Sequence, residues 1–537
     1  MPRLLKTIEN WSKLSPQHPC IIEAETGQSI SYQQCLQAIY ALHDAFGDSP
    51  RCIAMMLPGG IATALTWLSA LTGGHTLVPL SPDATDSEKA ALTRRYRPDL
   101  LIVEERADAQ GFDHPTATVL TRHQIMASVG AGSPRPCVGK PDASGAWADA
   151  GAVNRSLPTG RVCLHTSGST GEPKGVLLNE QQIVWAAEHI RASHQLTSQD
   201  IGLSVLPFFH VNAPVVSLCT SLLAGSTVVI ARRFSRQQFW SWIDRYQITW
   251  ASIVPTIVAI LLGTEKPAFL PGPLRFVRTA SAPLPVVHLR SFEEKFGIPV
   301  IETYGLSEAA SQVTANPVPP GTHKPGSVGQ PTGVELRICQ PVTISERQQG
   351  QQGQQDLRAM ESGEVGEICV RGPSVIAAYQ GNASRQSFQD GWFRTGDLGY
   401  QDADCYVYIT GRLREVINRG GENIAPREIE EVLLSHAGVH EAAVVGRPDP
   451  LYGEVVVAYV VMQLEPEYAG SRVAVATRTV NTLVTQTAIK QELQQFAAHH
   501  LSHPKVPVDI IVVEQLPRTA SGKIARQVLR EQEQQRG

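Results

Sequence analysis

The feature that most constrains the fold is an alternation between Val162 and Thr303, in which short β-rich runs are separated by amphipathic stretches. Runs at Gly202 to Leu206, Thr227 to Ala231, Thr249 to Val254, Arg275 to Thr279 and Pro299 to Thr303 read as strands. Between them, Asn179 with Gln182 forms a capping pattern that opens a helix to about His194, and Phe239, Trp242, Ile243 and Tyr246 recur at helical spacing. Strands that alternate with helices predict an α/β architecture with largely parallel, layered sheets. At 537 residues the chain exceeds one ordinary core, so this large N-terminal domain is expected to be followed by a second unit. The texture changes after Tyr406: strands at Tyr406 to Ile409, Ala442 to Val445 and Glu454 to Met462, a helix from about Ile429 and another near Lys490 predict a small α+β domain. The division is drawn at 1–413 and 414–537. Gly130 to Leu157 reads as a surface connection. Gln340 to Glu361, with its run QQGQQGQQ, is too polar to build a core and is assigned no function.

Composition excludes several function classes. The formal net charge is -4, from 46 basic and 50 acidic residues spread along the chain, which gives no footprint for nucleic acid. Nine scattered cysteines without a CxxC pair argue against a disulfide framework and a structural zinc site. The N-terminus lacks the apolar region of a secretory signal, and the most apolar window, Ala62 to Leu71, is too short to span a bilayer and reads as a core helix. A cytoplasmic enzyme of small-molecule chemistry is the expectation.

His165 to Gly175 reads HTSGSTGEPKG, with three glycines, two serines and two threonines around Lys174. Such a loop is rich in backbone N–H and hydroxyl donors, suited to wrapping an oligophosphate, and the apolar runs on either side make it a strand connection. A Walker A loop would need Gly-Lys-Ser/Thr, whereas Pro173 precedes Lys174 and Gly175 follows it. A plain Gly/Ser/Thr linker is the other reading of the segment taken alone.

Further motifs follow in order: LPFFHVN (Leu206 to Asn212), RTASAPLP (Arg278 to Pro285), ETYGLSEAA (Glu302 to Ala310), WFRTGDLG (Trp392 to Gly399), GRLREVINRGGENIAPREIE (Gly411 to Glu430) and LPRTASGKI (Leu516 to Ile524). Tyr304, where a strand breaks toward Gly305, offers an aromatic face to a purine or to the core; Glu308 offers a hard oxygen to magnesium or a charge to solvent. Asp397 follows Gly396 as a ribose acceptor or a turn residue. His210, beside Phe208 and Phe209, reads equally as a packed histidine.

Together these seven motifs resemble the acyl-adenylate-forming superfamily of acyl-CoA synthetases, luciferase-like enzymes and peptide-synthetase adenylation domains, over nearly the whole chain. The resemblance implies an AMP-forming carboxylate–CoA ligase using ATP, Mg²⁺ and CoA, with a mobile C-terminal domain. It assigns the nucleotide to Thr166, Ser167, Gly168, Ser169, Thr170, Gly171 and Lys174, to Ser281, Ala282 and Pro283, and to Glu302, Thr303, Tyr304, Gly305 and Ser307. Asp397 and Arg412 take the ribose, and Glu308 with Thr170 takes the metal. Lys523, Lys174 and His210 are the implied catalytic groups, with His210 gating the carboxylate. Gly420 and Gly421 border the path of the pantetheine arm. Arg414 stands at the hinge position, where Asp or Lys is usual. Transfer to an acyl carrier protein is the alternative second step, and a silent acyl or nucleotide sensor is a third reading, against which Lys523, Glu308 and Asp397 are all retained.

The segments ETYGLSEAASQ, HKPGSVGQP (His323 to Pro331) and GRLREVINRGGENIAPREIE are similar to the clade containing oxalate–CoA ligases and fatty-acyl-CoA synthetases. Ser311, however, stands where oxalate enzymes carry a histidine. Val211, Val215, Trp250 and Val254 read as an apolar tunnel for a fatty or aryl monocarboxylic acid, or as ordinary core.

Overall fold

The computed structural model describes residues 1–113, 117–129, 159–166, 174–270, 272–341, 357–380, 387–463, 483–518 and 524–536. Its centre is a nine-stranded sheet whose middle is parallel: Thr227–Ile230, Ile201–Ser204, Trp250–Ile253, Phe276–Thr279 and Val300–Leu306 lie side by side. These are the five runs read from the sequence, with ends that agree to within three residues. The intervening helix Glu180–Ser193 opens on the expected capping box between Asn179 and Gln182. In Phe239–Arg245, Phe239, Trp242 and Ile243 are buried, and Tyr246 beyond its end donates its hydroxyl to Ala24 O at 2.8 Å.

A six-stranded sheet packs in the same core cluster, with Cys52–Met56 parallel to both neighbours. Its edge is the antiparallel pair Arg161–Thr166 and Lys174–Asn179, in register His165 to Gly175 and Thr166 to Lys174. The glycine-rich segment therefore connects two hairpin strands, as the flanking apolar runs require. Helix Ile61–Thr72, buried at every position, is the core helix expected of the Ala62 to Leu71 window. Among the described residues no helix is long and apolar enough to cross a membrane.

A third, antiparallel sheet joins Glu335–Cys339, Gly366–Arg371, Phe388–Gln389, Trp392–Gln401 and Val407–Arg412. The run after Tyr406 thus belongs here, paired to Trp392–Gln401, rather than to the C-terminal sheet. That last sheet has its own cores. Val444, Val456, Ala458, Leu493 and Ile510 pack on one face, while Ala443, Val445, Val457, Tyr459 and Leu529 pack on the other, the alternation of a sheet covered on both sides.

Candidate active site

The site is built where the parallel strands of the nine-stranded sheet end. A cleft of about 820 Å³ opens there, lined by Ser281, Ala282, Pro283, Glu302, Thr303, Tyr304, Gly305, Asp397 and Arg412 from the larger part of the chain. Arg414, Glu430, His440, Arg518 and Arg526 line its other side.

Val300–Leu306 carries Tyr304 into the cleft. Its ring is 8% exposed, and its hydroxyl donates to Asp397 Oδ2 at 2.6 Å. Burial, then the Asp397 charge, pushes the phenol well above its ordinary range, so it stays a donor. Asp397 does not sit in a turn. It lies within the strand Trp392–Gln401, directly opposite Arg412, whose Nε meets Oδ1 at 2.9 Å. Gly396, at φ 76°, twists the strand just before it. One carboxylate thus holds a donor on each oxygen at the mouth of the cleft.

The backbone around this motif is strained. Ser281, Ala310 and Ser311 have φ values of 77°, 54° and 104°, a left-handed cluster that costs free energy and tends to mark functional sites. The strand does not break at Gly305 but runs on to Leu306, and because a Cβ at Gly305 would lie 1.6 Å from Ser311 O, the antiparallel partner strand can approach that closely only on glycine. Thr303 Oγ1 donates to Thr279 O at 3.0 Å. Glu302 is buried beneath them, its Oε2 accepting from Gly326 N at 2.9 Å, and burial pushes its carboxyl up to about 7.

Glu308 follows in a single 3₁₀ turn, Ser307–Ala309. It is half-buried, and its Oε1 accepts from the Tyr379 hydroxyl at 2.7 Å. Lys174 Nζ lies 5.0 Å from the centre of the same tyrosine ring, and burial lowers its pKa while the Glu308 charge opposes the shift. The structure therefore brings Lys174 and Glu308 together around Tyr379, which sequence reading had not singled out. Among the described residues no three acidic, His or Cys side chains form a metal cage. A single half-buried carboxylate fits magnesium, which takes one or two protein oxygens and leaves its other positions to water and phosphate.

His210 is partly exposed and packs its ring 4.5 Å from that of Phe209, just before the π-helical segment Asn212–Cys219; it is not among the residues lining the cleft. Gly420 and Gly421 form the two-residue turn between Ile417–Arg419 and Glu422–Ile424, at φ 60° and 89°, also away from the cleft lining. Thr166 ends its strand, but Ser167, Gly168, Ser169, Thr170, Gly171 and Lys523 lie outside the described residues.

Residues 8–380 match the model of the AMP-binding enzyme family, and residues 428–523 that of the AMP-binding enzyme C-terminal domain. The oxalate–CoA ligase of Arabidopsis thaliana is 34% identical over 498 residues, covering 89% of this chain and 87% of that one. The chain is an AMP-binding enzyme. It is similar also to sulfoacetate–CoA ligase of Cupriavidus necator, at 40% identity over 368 residues, 68% of this chain and 65% of that protein's length. Among solved structures, o-succinylbenzoate CoA synthetase of Bacillus subtilis with its acyl-adenylate intermediate superposes with a TM-score of 0.75 at 26% identity, covering 98% of both chains.

In this AMP-binding enzyme two of the four residues read as a substrate tunnel belong to the core. Val215 and Trp250 are fully buried, and a Cβ on Gly202 would meet the Trp250 ring at 2.8 Å. The indole fills that space. Arg427 ties the C-terminal helix Pro426–Leu434 to the third sheet by donating from Nη1 to Ile409 O at 2.6 Å. Arg427 and Glu430 stand in a motif without an assigned role and Arg526 two residues beyond another; only the folded chain brings them to the cleft.

Proposed function

We propose that the protein is an AMP-forming carboxylate–CoA ligase. The observation that carries this reading is the Tyr304–Asp397–Arg412 group at the edge of a cleft of about 820 Å³, an aromatic face beside a carboxylate that can accept from two ribose hydroxyls. A carboxylate oxygen of the substrate attacks the α-phosphorus of ATP; the bond to the pyrophosphate oxygen breaks, giving acyl-AMP. The thiol of CoA then attacks the acyl carbon, and AMP leaves. Lys174 offers positive charge to phosphate, and Glu308 would hold magnesium, which when bound neutralises phosphate charge. Lys523 acts in the first step only, stabilising charge at the α-phosphate, and the division at 413/414 lets the C-terminal domain withdraw it before the Gly420–Gly421 turn faces the adenylate.

The relatives are CoA ligases, which supports CoA over a carrier protein as acceptor. For the acid they point to oxalate, sulfoacetate and 2-succinylbenzoate, each with two anionic groups. The apolar reading of Val211, Val215, Trp250 and Val254 supported a fatty or aryl monoacid, and it loses weight with Val215 and Trp250 in the core. Pyrophosphate release over a panel of short, long, aromatic and doubly anionic acids, with mass detection of acyl-CoA, tests the reading. Acyl-AMP formed without CoA thioester, but with loading of a carrier protein, would replace the acceptor. Silence with every acid would leave a sensor.

A further inference from the structure

Arg278 is 1% exposed on the strand Phe276–Thr279, yet among the described residues no carboxylate pairs with it. Its contacts are all to neutral oxygens and all long: Nη1 to Asn212 Oδ1 at 3.4 Å and Ser252 Oγ at 3.3 Å, and Nη2 to Gln312 Oε1 at 3.4 Å. Nε has no partner among the described residues. Burying a guanidinium is unfavourable unless a close anion offsets the lost hydration, and an apolar side chain of similar volume would pack at lower cost. A structural role alone does not explain an arginine here.

The surroundings form a receiving surface rather than a stray polar contact. Ser204, Ser252 and Arg278 are successive register partners across three parallel strands and so share one face of the sheet. Ser204 Oγ is likewise buried without a partner among the described residues. Asn212 comes in from the helical segment two residues after His210, and Gln312 from the strand four residues after Glu308. Thr279, the next residue after Arg278, lines the cleft, while Arg278, Ser204, Ser252, Asn212 and Gln312 are not among its lining residues. His194, buried nearby, has its imidazole pKa lowered by burial and then by the charge of Arg278, so it stays uncharged at neutral pH and adds no second positive charge.

We propose that Arg278 receives a second anionic group, a carboxylate or sulfonate, at the far end of the acid whose first carboxylate is activated. This rests on the ligase reading and names its substrate class. A planar guanidinium matches two oxygens of such a group, and the Ser204 hydroxyl, without a partner among the described residues, adds a neutral donor on the same face.

The test compares kcat/KM for oxalate, malonate, succinate, sulfoacetate and 2-succinylbenzoate with that for a one-anion isostere of each, using the full-length enzyme, pyrophosphate release and acyl-CoA detection. The proposal expects the best dianion to exceed its isostere by about a hundredfold or more, the scale of a buried charge pair. Carboxylate and sulfonate arms separate the two anion chemistries. In Arg278→Met that ratio falls at least about tenfold, and in Arg278→Lys, which keeps the charge but not the fork, part of it returns. Wild-type enzyme that uses monoacids as well as dianions overturns the inference and leaves the ligase reading standing. So does an Arg278→Met enzyme with an unmoved ratio. If Arg278→Met does not fold, the wild-type ratio and Arg278→Lys decide. Failure with every acid overturns the ligase reading itself, and this inference with it.

Discussion

The hydroxyl of Tyr304 and the carboxylate of Asp397 are joined by a 2.6 Å hydrogen bond that spans 93 residues of sequence and links the nine-stranded sheet to the third sheet. Both oxygens of Asp397 are engaged, one by Tyr304 and one by Arg412, so the acceptor proposed for ribose is held in place before nucleotide arrives.

Asp397→Ala is expected to raise the KM for ATP at least about tenfold, and also to lower stability by about 1–3 kcal/mol, because it strands two donors in a site where Asp397 is 6% exposed. The sequence alone suggested the first effect without the second. Asp397→Asn, which keeps an acceptor, should recover most of the stability and little of the ATP affinity. ATP kinetics and thermal unfolding on the same preparations check this; an unchanged KM in Asp397→Ala counts against the ribose role.

Glu302 gives a pH signature. Burial raises its folded pKa from 4.5 to about 7, so between those values the folded protein binds more protons than the unfolded chain. Its contribution to stability therefore falls as pH rises from about 4.5 to 7 and is level above that. Glu302→Gln keeps an oxygen for Gly326 N and removes the charge; it should be more stable than wild type at pH 8, by about 1–3 kcal/mol, and nearly equal at pH 4.5. Urea unfolding at the two pH values measures the difference, and equal shifts at both would mean that Glu302 does not titrate in this range.

Lys523→Ala should slow adenylation by about two to three orders of magnitude, while acyl-CoA formation from supplied acyl-AMP keeps most of its rate. Single-turnover assays of each half-reaction make the comparison. Equal loss in both steps would remove the basis for a lysine that serves one step and withdraws for the other.

At Gly421 a Cβ meets nothing within 4 Å, so a larger side chain there enters open space, but the φ of 89° penalises any residue other than glycine. Gly421→Leu should accumulate acyl-AMP after one burst of pyrophosphate and form little acyl-CoA, with a stability loss of about 1–2 kcal/mol from the left-handed backbone. Gly421→Asn tolerates that backbone better and projects less, so it separates strain from obstruction. Thioester formation that is undiminished in both variants would make the glycines a hairpin turn and nothing more.

Much of this was legible along the chain. The five central strands, the capped helix after the glycine-rich segment and the core helix at Ile61–Thr72 follow from hydrophobic period and local hydrogen bonding, which involve residues only a few positions apart. The motifs that line the cleft were also visible, since Ser281, Tyr304, Asp397 and Arg412 stand in segments whose spacing is itself distinctive.

Tertiary structure decided the rest, because it depends on which distant segments the crossovers bring together. Asp397 looked like a turn residue because Gly396 precedes it; pairing with Arg412 extends it into a strand instead. Trp250 looked like a tunnel wall until its neighbour in register proved to be Gly202, whose missing side chain the indole occupies. Tyr379 carried no local signal, and it meets Glu308 across a separation of 71 positions in the sequence. Arg278 was one basic residue in a short motif. Its burial opposite Asn212, Ser252 and Gln312, with no carboxylate beside it among the described residues, arises from the register of parallel strands, and periodicity in a sequence sets which face a residue takes without setting what stands opposite.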